Sequence, residues 1–420
     1  MTDMSVSTLR VAWRNLGRNK RRTLLAVGAI ALGQFTLLFV NGLMAGSFHN
    51  MLETVTGPLV GHVQIHHPEW REERAIDLYI DGLSGARAEI ESLPDVKSVL
   101  PRIYSPVLAA SGEQRDQPAD AEPAVIVGVD TGAESEKGGL LERLEPEKLR
   151  GKRSVAVGRV LANRLDVEVG HSLAVIGQDV DGYPVSDLFK VTAIIESNVD
   201  MVKTMGIVMS IADAGELLAM PGQAHEIVVQ GDDYRNAGPL AARISALPAL
   251  ADTEVLAWRE AVPELVRLID MRQWIDLIFL AIVFAAAAAG IANTATMSTF
   301  ERTHEFGMLL AIGARPGRIV WIVLIESIAL GLAGVAIGSV FGTATVLITS
   351  HTGINYAALG GVSAEDVAFG GISFSYIIHP VFEFRHIVFG LLAVTITSAL
   401  ASVWPAALAA RLEPVKAMRL

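Results

Sequence analysis

Four apolar runs, Thr23 to Ala45, Leu277 to Thr299, Ile319 to Thr349 and Ile387 to Leu408, constrain this chain more than any other feature. Each is long enough to cross a hydrocarbon core of about 30 Å as a helix. In such a core the backbone must satisfy its own hydrogen bonds, so each run is read as a spanning helix. One long gap remains: the stretch 46–271, more than half of the 420 residues, lies between the first and second runs. Hydrophobic residues make up 51% of the chain and mean hydropathy is positive, which suits a membrane protein. The first run exceeds the roughly 7 to 15 apolar residues of a secretory signal, and Leu43-Met44-Ala45 is a poor cleavage site. It is expected to remain as a span.

Basic residues near the span ends give an orientation. Arg10, Arg14, Arg18, Lys20, Arg21 and Arg22 precede the first run against Asp3 alone, whereas Gly46 to Pro68 holds no Lys or Arg. Arg302, Arg315 and Arg318 separate the second and third runs, and Arg411, Lys416 and Arg419 follow the fourth. Between the third and fourth stands only Arg385, against Glu365, Asp366 and Glu383. The positive-inside bias therefore places both termini and the 300–318 segment in the cytoplasm and 46–271 outside. The expected organisation is a cytoplasmic amphipathic segment 1–22, spans 23–45, 272–299, 319–349 and 386–408, a cytoplasmic helix 300–318, an outer loop 350–385 and a cytoplasmic end 409–420. The fold class is a membrane protein with four transmembrane α-helices and a large α+β extracytoplasmic domain inserted between helices 1 and 2. The net charge of −11 arises in that outer region and argues against nucleic acid as a partner. With no cysteine, neither a disulfide nor a lipidated thiol is available.

The outer region alternates short strands and helices. "GHVQIHH" puts His62, Gln64 and His66 on one strand face and Val63, Ile65 and His67 on the other. "AEPAVIVGVD", "LFKVTAIIES" and "HEIVVQGDD" read as strands, "AGPLAARISALPAL" as a helix, and 112–123 and 178–187 as loop-rich. Chemistry is sparse here. Histidines 62, 66 and 67 suggest a metal, yet no Cys, Asp or Glu at ligand spacing supports one, and a polar strand face is the plainer reading. No G-x-S-x-G elbow or H-E-x-x-H helix occurs, and "RGKRS" at 150–154 lacks the Gly and Ser/Thr of a phosphate cradle. No catalytic residue is assigned, no metal ligand and no cofactor on this chain.

The spans are more informative. Gly334, Gly338 and Gly342 recur every four residues and offer a groove for close helix packing. Glu326 lies about two turns inside the third run, where an ionised carboxylate costs several kcal/mol unless paired or wet. No second acid lies deep in the other spans, so a buried interhelical contact is favoured over a proton relay. Asp276, beside Trp274, is near the outer end of the second run. Between spans, Glu301, Arg302, Glu305, Phe306, Leu309 and Leu310 fall at helical spacing, Gly313 closes the helix and Pro316 stops it.

The passage "ERTHEFGMLLAIGARPGRIVWIVLIESIALGLAGVAIG" resembles the coupling-helix and third-span signature of ABC transporter permeases of the MacB/FtsX/LolC–LolE type. This is the type VII, mechanotransmission family that includes the macrolide exporter, the cell-division permease and the lipoprotein-releasing pair. The start "VAWRNLGRNKRRT" and the end "VWPAALAARLEPVKAMRL" resemble the family's opening and closure, so the likeness covers nearly the whole chain. "SVAVGRVLANRLDVEVGHSLAVIG" resembles an outer-domain passage in which His171 replaces the usual Asp. "FKVTAIIESNVDMVKTMGIVMSIADAGELL" is most similar to the lipoprotein-releasing members.

The resemblance implies a non-catalytic subunit in the bacterial inner membrane. Two protomers, as a homodimer or a related heterodimer, would pair with two copies of an ABC ATPase that carries ATP and Mg. Glu301, Arg302, Glu305, Phe306, Gly307, Leu310 and Gly313 would serve ATPase coupling, with Glu305 and Gly307 facing the partner's groove, and Glu326 matches a recurrent glutamate. Cargo would be lipoprotein or another lipidic or amphipathic molecule, with membrane lipid and a periplasmic carrier or adaptor as further partners. The alternatives are an FtsX-like regulator of a periplasmic enzyme and an exporter or sensor of antimicrobial peptides.

Overall fold

The computed structural model describes residues 20–112, 121–136, 139–142, 144–149, 151–197, 199–355, 368–369, 372–373 and 377–411. The basic residues before Lys20, the 113–120 part of the loop-rich stretch, Arg150, Glu365, Asp366, Lys416 and Arg419 lie outside them. Two compact units result. One comprises Met1–Phe48, Ile269–Tyr356 and Ile377–Leu420; the other comprises His49–Leu268 and Ala357–Tyr376.

Four helices among the described residues are long and apolar enough to cross a membrane. They are α1 (Lys20–Thr54), α2 (Pro263–Glu301), α4 (Pro316–Thr352) and α5 (Arg385–Ala410), with the short α3 (Thr303–Ala311) between α2 and α4. Helical structure in α2 thus begins well upstream of residue 272. Within the helical unit α4 packs mainly on α5, where Gly331 approaches Ser398 and Val394. The glycine row of α4 faces α1. A Cβ on Gly334 would lie 2.6 Å from Ile30 Cβ, on Gly338 2.8 Å from Gln34 Cβ, and on Gly342 2.9 Å from Leu38 Cδ1. A heavy atom cannot occupy that space, so the backbones meet only because Cβ is missing. Gln34, buried in the same seam, donates from Nε2 to Ser339 Oγ at 3.3 Å. Thr294, Thr296 and Thr299 return their hydroxyls to carbonyls four residues back, which removes those donors from lipid. At the start of this stretch Asp276 is paired with Arg272 at 3.7 Å, and Arg272 also reaches Glu383 at 3.6 Å.

Among the described residues the main sheet of the inserted unit has nine strands: β1 (Val63–His66), β2 (Val96–Ser111), β3 (Glu122–Val129), β4 (Ser154–Gly158), β5 (Ser172–Gln178), β6 (Pro184–Ile195), β7 (Gly206–Ser210), β8 (Glu226–Gly231) and β9 (Glu254–Ala257). Their order is β3-β7-β4-β6-β5-β2-β8-β1-β9, and β3 also pairs with β2. The first six therefore close into a ring, and β8, β1 and β9 extend from the long β2. Pairings are antiparallel except β3 with β7 and β4 with β6. Closure removes edges from the ring and lets inward residues such as Ile103, Ile126, Val157, Leu173 and Ile207 form one core with Leu161 and Leu165 of the helix Arg159–Leu165. The stretch 178–187, expected as loop-rich, is largely the β5–β6 hairpin, turned by Asp179, whose Oδ1 accepts from the Asp181 and Tyr183 N–H groups. His171 accepts the Glu168 N–H through Nδ1 at 3.2 Å, a role an aspartate would also fill in this turn.

The histidine strand differs from its sequence reading. β1 lies between β8 and β9, and all four of its residues are buried, so it has no free polar face. His62 accepts from the Gly231 N–H, while His66 donates to the His67 carbonyl at 2.9 Å. Among the described residues no three His, Cys, Asp or Glu side chains are grouped to hold a metal ion.

Candidate coupling site

The segment between α2 and α4 is built from a helix break and two stops. Glu301 is the last residue of α2, and Arg302, at φ −110 and ψ 14, turns the chain into α3. Gly313 takes φ +90, a left-handed conformation that L side chains resist, and Pro316 sits in the first turn of α4 with Arg315 extended before it. The connection is thus a tight double corner with a nine-residue helix in it.

Arg302 is the hub. Its side chain is 10% exposed, donating from Nε to Glu305 Oε2 at 3.0 Å and from Nη1 to Glu326 Oε2 at 2.8 Å, with the guanidinium carbon 4.8 Å from the Phe306 ring centre. Glu326 belongs to α4 and is 13% exposed. The acid expected to cost several kcal/mol inside a span is therefore paired, and the pair connects α3 to α4 across the corner. Beneath it Phe306 is 1% exposed against Ala295, Ile319, Val323, Ala406 and Ala409, a cluster drawn from α2, α4 and α5. Moving α3 moves all three helices or breaks this cluster.

The coupling residues of the sequence analysis divide into two sets. Arg302, Phe306 and Gly307 are buried, and Gly307, read as facing a partner, points into the helical unit instead. The reason is the phase of α3: with Phe306 turned inward, its immediate helical neighbour Gly307 follows. Glu301 and Gly313 are exposed, while Glu305 and Leu310 are half-buried. The outward face is formed by Glu301, His304, Met308, Ala311 and Ile312, with Met308 48% and Ile312 77% exposed. Met308 and Ile312 were not singled out from sequence. Their four-residue spacing with His304 was the available signal, and the apolar character of the segment hid it.

A family model for the FtsX-like permease C-terminal region matches residues 277–414, and one for the MacB-like periplasmic core domain matches residues 23–247. The ABC transporter permease YtrF of Bacillus subtilis is 38% identical over 105 residues, 24% of this chain and 23% of its own length. The chain is thus matched to about a quarter of YtrF. The lipoprotein-releasing system transmembrane protein LolE of Haemophilus influenzae is 22% identical over 429 residues, 97% of this chain and 98% of its own. Among solved structures, the periplasmic region of MacB from Actinobacillus actinomycetemcomitans covers 52% of this chain and 97% of its own, at 13% identity and a TM-score of 0.35. Since the core-domain match alone takes in more than half of the 420 residues and the permease match takes in α3 and the helices around it, the chain belongs to the ABC transporter permeases of the MacB/FtsX/LolC–LolE type.

Proposed function

We propose that this chain is the membrane subunit that receives the stroke of a separate ATPase on the outward face of α3 and passes it, through the Arg302–Glu326 pair, to α4 and the inserted domain. The carrying observation is that pair: one guanidinium holds carboxylates on both sides of the corner, at 3.0 Å and 2.8 Å. An amphipathic helix held only by lipid would need no such link. The partner ATPase, present in two copies, binds ATP and Mg; Met308 and Ile312 enter its groove, rimmed by Glu301 and His304. Two protomers assemble in the inner membrane with both termini cytoplasmic. The cargo is lipoprotein or another amphipathic molecule drawn from the membrane, a reading supported by end-to-end similarity to LolE.

A photoreactive amino acid placed at Met308 or Ile312 in cells tests the docking face. The expected adduct is a protein bearing Walker motifs, absent when the same probe replaces Ile348, exposed at the far end of α4. Adducts with lipid alone at all three positions would refute the reading.

A further inference from the structure

The end of α1 is fastened to the sheet of the inserted domain by buried and half-buried side chains that no role described so far employs. After Thr54 the helix continues as one π-helical turn, Val55–Leu59, closed by the Val60 N–H on the Val55 carbonyl at 2.9 Å and containing Pro58. A helix end leaves carbonyls without intrahelical donors. Here two side chains supply them. Gln230 of β8 donates from Nε2 to the carbonyls of Thr56 at 3.1 Å and Gly57 at 2.6 Å, and Arg102 of β2 donates from Nη1 to the Leu59 carbonyl at 3.0 Å. Arg102 is itself clamped: Nε donates to Glu134 Oε1 at 2.6 Å, and Glu134 Oε2 accepts the Leu140 N–H at 2.7 Å. Both charged side chains are 1% exposed or less. Just beyond, Gly61 at φ +67 lets the chain pass against β8, where a Cβ would lie 2.5 Å from Val228 Cγ1.

A fully buried ion pair adds little to stability compared with apolar residues of the same volume, but hydrogen-bonded as here through Arg102 Nε and Nη1 and both Glu134 oxygens it fixes geometry. We propose that Arg102, Glu134 and Gln230 form a rigid joint that makes the end of α1 and the β2–β8 pair one mechanical body. They are positioning residues for whatever displacement α1 carries, independent of what drives it.

The test uses the full chain in nanodiscs. Gln230→Leu removes one fastening, and Arg102→Met with Glu134→Leu removes both halves of the other. Hydrogen exchange of segment 55–62 is expected to quicken roughly tenfold or more in each, as the loss of a net hydrogen bond implies. Spin labels at His49→Cys and Lys97→Cys, in a chain without native cysteine, are expected to show a broadened distance distribution. Exchange in β4 and β5 stays unchanged. Unaltered exchange and label width in both variants would overturn the joint, as would a loss of protection spread evenly over all strands, which marks a stability element only. If the double variant does not fold, the single Gln230→Leu change decides the matter on the same two readings.

Discussion

Replacing Arg302 by methionine keeps most of the side chain's apolar stem but removes the 2.8 Å ion pair of Glu326, which is 13% exposed at a helix corner inside the membrane unit. Breaking a buried pair from one side commonly costs about 3 to 5 kcal/mol, because the remaining charge loses its partner. Residual exposure of about a tenth favours the lower end, so α3 is expected to detach from α4 at a cost of about 3 kcal/mol. At 1.4 kcal/mol per decade this is roughly a hundredfold rise in hydrogen exchange across 303–311 in nanodiscs. Glu305→Gln removes a pair whose acid is 40% exposed and is expected to change the same exchange by less than about 1 kcal/mol. The combined Arg302→Met, Glu326→Leu variant removes both ends of the pair and should restore most of the protection, giving a coupling energy near the top of the range of about 0.5 to 3 kcal/mol seen for contacting residues. Equal protection in wild type and Arg302→Met, or a larger effect from Glu305→Gln, would refute the role given to the Arg302–Glu326 pair.

Gly338→Val would drive side-chain carbons into Ala31 and Gln34 of α1 and is expected to lower the thermal midpoint in detergent, whereas Gly317→Val, in open space, should not. The inserted domain should lose stability in acid. Burial, with a smaller contribution from Arg74, holds the His225 pKa down at about 4, and the neutral ring is fixed by the Tyr104 N–H donated to Nδ1 and by Nε2–H donated to the Ile76 carbonyl. Its unfolded value is near 6.5, so this stability is complete above about pH 6.5 and is lost as pH falls through about 4, in all about 3 kcal/mol. Melting of wild type against His225→Gln from pH 7.5 to about 4 should show the steeper decline in wild type, and parallel curves would exclude His225 as the cause. Cysteine at Asp232 should react with an impermeant reagent from outside and cysteine at His304 should not; the reverse pattern would invert the topology.

Hydropathy and punctuation made much of this protein legible in one dimension. Apolar length marked four spans, Gly313 and Pro316 bounded the short helix, and the long polar interval before α2 announced an inserted domain, because each is a sum over neighbouring residues. Glu326 was recognisable as needing a partner, since any unpaired carboxylate in hydrocarbon does. Which partner it takes was not legible. Arg302 lies 24 positions away, and nothing in the local pattern says that the corner at Arg302 turns it inward while leaving Met308 and Ile312 outside. The histidine strand was misread for the same reason: alternation separates two faces, but only the pairing of β1 with β8 and β9 and the packing over both sides bury them. The joint beneath α1 is the extreme case, for it joins Leu59, Arg102, Glu134 and Gln230 through strand registers and a turn. The sequence by itself determined which segments enter the membrane, because transfer free energy accumulates locally along the chain. Tertiary structure alone decided which charges meet, because pairing depends on distances between residues that only folding brings together.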